Sequence, residues 1–175
     1  MQQNLIKASF TTSVAIALTI AVFVMALHRA GVNPFGQYKM LFMPLYATVL
    51  AIGLWRFRKR QGGWLHGWQG VFFGALTAVF AAAIYGLAIY VLVKYLVPEV
   101  LAVHKSSLME WMKTHRSAIV EHLGEKSYQN NLEGIAHLTA RDIAVDEWLK
   151  TAAVGFVIGM AMGLAFKKSP PKANT

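Results

Sequence analysis

Between Ala8 and Leu27 the chain runs for twenty residues without a charged side chain. A helix of that length, rising 1.5 Å per residue, spans about 30 Å, the thickness of a bilayer's hydrocarbon core. A cleaved secretory signal is the rival reading, but its apolar stretch is about 7 to 15 residues long and ends in a small-x-small cleavage site. This run is longer, so it is expected to cross and remain. Three further apolar runs follow, at about 38–55, 69–96 and about 149–166. With 56% hydrophobic and 14% charged residues and a mean hydropathy of +0.44, a chain of 175 residues is too apolar for an ordinary soluble domain. The expected fold is all-α: an integral membrane bundle of four transmembrane helices (8–27, 38–55, 69–96 and 149–166), with an amphipathic helical insertion over 98–147. One domain then extends to residue 168, and 169–175 form a flexible basic tail.

Punctuation along the chain fits this division. Gly31, Asn33, Pro34 and Gly36 mark a turn between the first two runs, and Pro44 lies close to the outer end of the second, where proline is best tolerated. The third run has 28 residues, more than a bilayer needs, so it must tilt or project before Pro98 stops it. Lys150, near the start of the fourth, is placed to snorkel to the head groups.

Charge orients the bundle. The net charge is +9, but its distribution matters more than its size. Arg56, Arg58, Lys59 and Arg60 make the second connection basic, and basic connections are retained on the cytoplasmic side. Four crossings then put both termini on that side too, where Lys7, Lys167, Lys168 and Lys172 agree. All eight acidic residues lie between the third and fourth runs, on the expected outer side. Trp55, Trp64 and Trp68 flank the basic connection as interfacial anchors, and Gly62 with Gly63 lets the chain turn back sharply. The same four cations also suit anionic lipid head groups. Because the basic residues serve orientation and no nucleotide-binding pattern is present, the high net charge does not imply a nucleic-acid partner.

Helices in lipid associate by close backbone approach, so small residues at fourfold spacing carry information. The third run presents Gly70, Gly74, Ala78, Ala82 and Gly86. The fourth presents Gly155, Gly159 and Gly163, and the first Ser9, Ser13, Ala17 and Ala21. These ladders are expected to pack within one bundle, with self-association as the alternative. No ionisable group lies near the middle of any run, and the buried polar groups are expected to be hydroxyls: Thr11, Thr12, Ser13, Thr19, Thr48, Thr77, Tyr85 and Tyr90. A transporter would therefore need an oligomer with a shared pathway.

The insertion is expected to be structured. Leu101, Leu108, Met112, Ile119 and Leu123 recur with spacings of seven, four, seven and four, one apolar stripe on a helix ended by Gly124, and Trp111 broadens that face. Leu101, Leu108, Met112 and Ile119 are its partner face, which caps the bundle, lies on the leaflet or meets another protein. A polar turn is expected at Ser127–Asn131, and Thr139 with Asp142 forms a capping box leading into the fourth run. With five basic against eight acidic residues, the insertion is not built for an anionic surface.

Site chemistry is sparse. There is no cysteine, so thiolate metal sites and disulfides are excluded. Four of the six histidines, His104, His115, His122 and His137, lie on the insertion, but the best local pair, His122 with Glu125, falls short of the three or four ligands a metal needs. Neither a nucleophile elbow, a phosphate loop nor a paired-carboxylate motif is present. No catalytic residue, metal or cofactor is expected.

The basic WRFRKR, the QGGWLHGWQGVFFGAL entry to the third run, its KYLVPEVL exit, the polar helical insertion and the closing GLAFKK together resemble a Bacteroidota integral membrane protein family, domain of unknown function 4199. The resemblance extends from the first run to Lys168 and implies a bacterial inner membrane, with no particular activity attached. The expected role is that of a structural or accessory component contacting membrane lipids and another membrane protein. An oligomeric small-solute transporter or channel, and a helper of an enzyme acting on lipid-linked substrates, are the alternatives.

Overall fold

The structure, a computed structural model, describes residues 2–169, with the side chains of 4–169. Of the basic tail expected over 169–175, residues 170–175 lie outside the described residues. The described chain is helical throughout: α1 (Gln2–Arg29), a short 3₁₀ turn (Gln37–Leu41), α2 (Phe42–Arg60), α3 (Gly67–Val91), α4 (Glu99–Thr114), α5 (Arg116–Leu123), α6 (Glu125–Ala136) and α7 (Ala140–Ala165). A wide π turn at Leu92–Leu96 continues α3. There Val97 bonds back to the carbonyl of Leu92, and Pro98 pushes Val97 out of the helical region. Four helical stretches, Asn4–Arg29, Gln37–Arg60, Gly67–Leu96 and Ala140–Ala165, are long and apolar enough to cross a membrane.

α3 lies at the centre, with α7 on one face and α1 on another, while α2 packs chiefly against α1. The α3–α7 seam is made of glycine. A Cβ on Gly70 would overlap the backbone of Gly163, and one on Gly74 the backbone of Gly159. One turn further, a Cβ on Gly155 would come within 3.2 Å of Ala78. On the α1 side, Ser13 donates to the carbonyls of Ser9 and Thr77 at 2.8 and 3.0 Å, so the hydroxyl ties α1 to α3 through backbone. Gly86 meets Trp148 and the carbonyl of Ala144 more loosely.

At one end of the bundle, Gly62 and Gly63 take positive φ (80° and 90°), which allows the reversal between α2 and α3. Leu65 and Lys168 then exchange two backbone hydrogen bonds (3.0 and 2.9 Å), fastening the chain after α7 to the connection before α3. The cations of that connection and of the two chain ends therefore share one basic end. The insertion α4–α6 sits at the other.

Several element boundaries differ from expectation. α7 starts at Ala140 rather than near 149, because the Thr139–Asp142 capping box nucleates it there. The expected turn at Ser127–Asn131 is helix, inside α6. Gly124, at φ 80°, makes the break instead, and Tyr128 is buried beneath Arg116, which bridges to Glu125 at 3.0 Å. Weak helix formers in SYQNN cost only tenths of a kcal/mol each, so this packing outweighs them. The single stripe helix is divided at His115 into α4 and α5.

Candidate functional site

The ladder of α7, extended backwards four residues at a time from Gly163, Gly159 and Gly155, reaches Thr151 and then Glu147. Glu147 therefore shares the face buried against α3 and is only 2% exposed. It lies about 10 Å along α7 from Ala140 and about 27 Å from Ala165, in the third of the bundle nearest the insertion. Its Oε1 accepts from Lys39 Nζ at 2.5 Å and its Oε2 from Tyr85 Oη at 3.2 Å. Each carboxylate oxygen thus holds a different element, the 3₁₀ turn before α2 and the body of α3. Lys39 is itself buried, 9% exposed, on the face that continues through Phe42, Tyr46, Leu50 and Leu54.

This cluster corrects the expectation that the buried polar groups are all hydroxyls, since Lys39, Glu147 and Gln69 join them. Two more hydroxyls lie on the same faces and lack partners: Tyr46 Oη and Thr151 Oγ1 are buried and unbonded. Tyr46 Oη sits where a side chain at Gly155 would begin, since a Cβ there would come within 2.6 Å of it. Of the hydroxyls expected to be buried, Thr12, Ser13, Thr77 and Tyr85 are, whereas Thr11 and Thr48 are exposed and Thr19 and Tyr90 half-buried. Thr11, Thr12, Thr19 and Thr48 satisfy their hydroxyls on the carbonyl one turn back in their own helices, which leaves Thr11, Thr19 and Thr48 free to face outward.

His104 of α4 borders this region. Its Nδ1 is buried without a partner and its ring meets Phe35 edge-on at 5.5 Å. Burial pushes its pKa below the ordinary value; the charges of Lys150 and Lys39 act the same way and Asp146 opposes them. The unfolded state then binds more protons than the folded one as the pH falls below about 6.5, so the stability contributed by neutral His104 is complete above that value and lost beneath it. Thermal unfolding of the purified protein is expected to shift downward between about pH 7 and 5, and His104→Leu to flatten that slope. Glu125 titrates in a separate, lower window, because Gln129 and Arg116 hold its carboxyl below the usual range.

The partner face expected on the insertion is largely turned inward. Met112 is buried, Leu101 packs against the bundle core, and Leu108 and Ile119 are half-buried, with α6 laid against both α4 and α5. The exposed apolar groups of the insertion are chiefly Trp111 and Leu123, at the edge and the end of the expected stripe, and Val103. Trp111 is 54% exposed and stacks on His115. At the basic end, Arg56, Lys59 and Arg60 are exposed and Arg58 half-buried. Among the described residues, no three His, Asp or Glu side chains converge as metal ligands do.

A packed helical bundle with four candidate membrane spans, a glycine seam and one buried ion pair defines the class of this protein as polytopic and α-helical. The chain belongs to the family described as Protein of unknown function (DUF4199), which matches residues 8–168. No curated protein and no solved structure matches it.

Proposed function

We propose that this protein is a structural or accessory component of a bacterial inner membrane rather than an enzyme. In this reading both termini and the Arg56–Arg60 connection face the cytoplasm, and α4–α6 contact another membrane protein on the outer side. The separation of a basic end without acids from an end holding all eight acidic residues supports the orientation. The observation that carries the role is Trp111: the insertion buries Met112 and half-buries Leu108 and Ile119, yet leaves a large aromatic of the same face exposed at the end where α4 turns into α5. Aromatic side chains of this kind anchor protein interfaces. The slight acidity of the insertion favours a protein partner over an anionic leaflet.

Two variants separate surface from core. Trp111→Glu is expected to leave thermal stability in detergent unchanged within about 0.5 kcal/mol and to abolish co-purification of the partner. Leu108→Asp with Met112→Asp, which charges the inward stripe, is expected to lower stability by several kcal/mol, on the order of the cost of leaving buried charges unpaired. If Trp111→Glu changes neither co-purification nor crosslinking from that surface, the insertion is not the contact surface.

One observation favours a second reading, an oligomeric small-solute transporter or channel. Ionisable residues buried within membrane helices mark ion and solute routes, and Lys39–Glu147 with the unbonded Tyr46 and Thr151 hydroxyls is such a cluster. Proteoliposome flux that disappears in Glu147→Gln would favour this reading over the first.

A further inference from the structure

The four cations between Arg56 and Arg60 do not share one environment. Arg58 donates from Nη1 to the carbonyl of Phe166 at 3.5 Å and lies over its ring, and Lys59 lies over the ring of Trp55. Arg56 and Arg60, one turn apart on α2, instead line the crevice between α2 and α1. Lys7 lines the same crevice from α1, beside Asn4 and Gln61. Lys7, Arg56 and Arg60 are exposed, and none has a carboxylate within ion-pair distance among the described residues. Every acidic side chain of the protein lies between Glu99 and Glu147, towards the opposite end.

The shape of the crevice narrows the ligand. The recess at its mouth, about 280 Å³ and lined by Lys7, Arg60 and Gln61, shares Phe57 with two neighbouring recesses. One, about 450 Å³, opens towards α3 between Leu5, Ile6, Trp68 and Phe72. The other, about 130 Å³, runs between α1 and α2 from Arg56 and Arg60 past Thr11 and Thr12 to Ala15, Val49, Ile52 and Gly53. A cationic mouth that opens into an apolar recess on one side of Phe57 and a narrow cleft, cationic at its top and apolar below, on the other has the form of a head group with two chains. Without a carboxylate at the mouth, the ammonium of a zwitterionic head group would face three cations and no counter-charge.

We infer that this crevice seats one diacyl phospholipid with an anionic head group, its phosphate against Lys7, Arg56 and Arg60 and its chains in the two recesses beside Phe57. Basic pockets between transmembrane helices suit such head groups. The inference concerns the end opposite the insertion and is independent of the accessory role argued above.

The test uses the full chain purified in detergent, with bound lipid counted by native mass spectrometry. Phosphatidylglycerol is expected to be retained at one molecule per chain, more strongly than its single-chain lysolipid and far more strongly than phosphatidylcholine. Lys7→Gln with Arg60→Gln is expected to weaken retention about 25-fold, about fivefold for each surface charge removed. Arg58→Gln with Lys59→Gln removes the same charge from outside the crevice and is expected to weaken it less than twofold. Equal retention of phosphatidylcholine, equal losses in the two double variants, or displacement of the lipid by inorganic phosphate alone would each overturn the seat. The ordering of lipids on the parent protein decides the matter even if a variant fails to fold.

Discussion

Replacing Glu147 by alanine is expected to destabilise the purified protein by about 3 to 5 kcal/mol, the cost of leaving one member of a buried ion pair uncompensated. Lys39, buried in the parent, would keep its ammonium without a carboxylate, and Tyr85, fully buried, would lose its acceptor. The connection between the 3₁₀ turn, α3 and α7 would be lost at the same time, so the end of the bundle nearest the insertion should loosen first. Replacing the whole cluster with apolar groups, by Lys39→Met, Glu147→Leu and Tyr85→Phe together, should restore much of the loss, since a buried pair is often no more stabilising than well-packed hydrophobic residues. Thermal unfolding in detergent reads both effects. A Glu147→Ala protein as stable as the parent would mean that the carboxylate is hydrated, and the cluster would lose its standing as a site. A triple variant as unstable as the single would mean that the polar cluster is needed for the fold itself.

How legible this protein was differs by level. The four long helices were read from apolar run length, because a bilayer fixes a minimum that chance composition does not reach. The Thr139–Asp142 box marks the start of α7 at Ala140, but the apolar run begins only near 149, because the residues between, Arg141 to Lys150, are rich in charge and fall below a hydropathy window. That displacement hid the ion pair. Placed outside the fourth run, Glu147 counts as one acid of an outer loop, whereas in register with Gly155, Gly159 and Gly163 it belongs to the buried face. Lys39 was hidden in a similar way, at the edge of the second run, although it continues the face of Phe42, Tyr46 and Leu50. The signal was present in both cases as a charge in phase with a buried ladder. The insertion failed differently. Its stripe is visible, but periodicity does not say what covers a stripe, and the fold buries Met112 while leaving Trp111 exposed. The environments of Arg56, Arg58, Lys59 and Arg60 likewise depend on where α1 and the chain after α7 come to lie.

The glycine seam offers the sharpest contrast between sites. Gly74→Leu is expected to lower stability by about 3 kcal/mol or more, the upper end of what over-packing costs. The side chain would begin inside the backbone of Gly159, whose carbonyl, carbon and Cα are its nearest neighbours. Backbone has no rotamer to change, so α3 and α7 must separate, and the contacts at Gly70–Gly163 and Ala78–Gly155 loosen with them. Helix association in lipid rests on such close approach rather than on a hydrophobic driving force, so the lost contacts are not recovered elsewhere. Gly86→Ala meets Trp148 Cβ at 3.0 Å, the Ala144 carbonyl at 3.4 Å and Trp148 Cγ at 3.6 Å, where a small shift suffices, and should cost less. Gly134→Ala, inside α6 with nothing within 4 Å, should raise stability by about 0.5 to 1 kcal/mol through helix propensity alone. Val79→Leu, on the exposed face of α3, serves as the control for added bulk. Thermal unfolding of the four variants should therefore order them as Gly74→Leu lowest, then Gly86→Ala, then Val79→Leu near the parent, then Gly134→Ala. If Gly74→Leu unfolds with Val79→Leu, α3 and α7 do not meet through their glycines, and the register that carries Glu147 to Tyr85 goes with them.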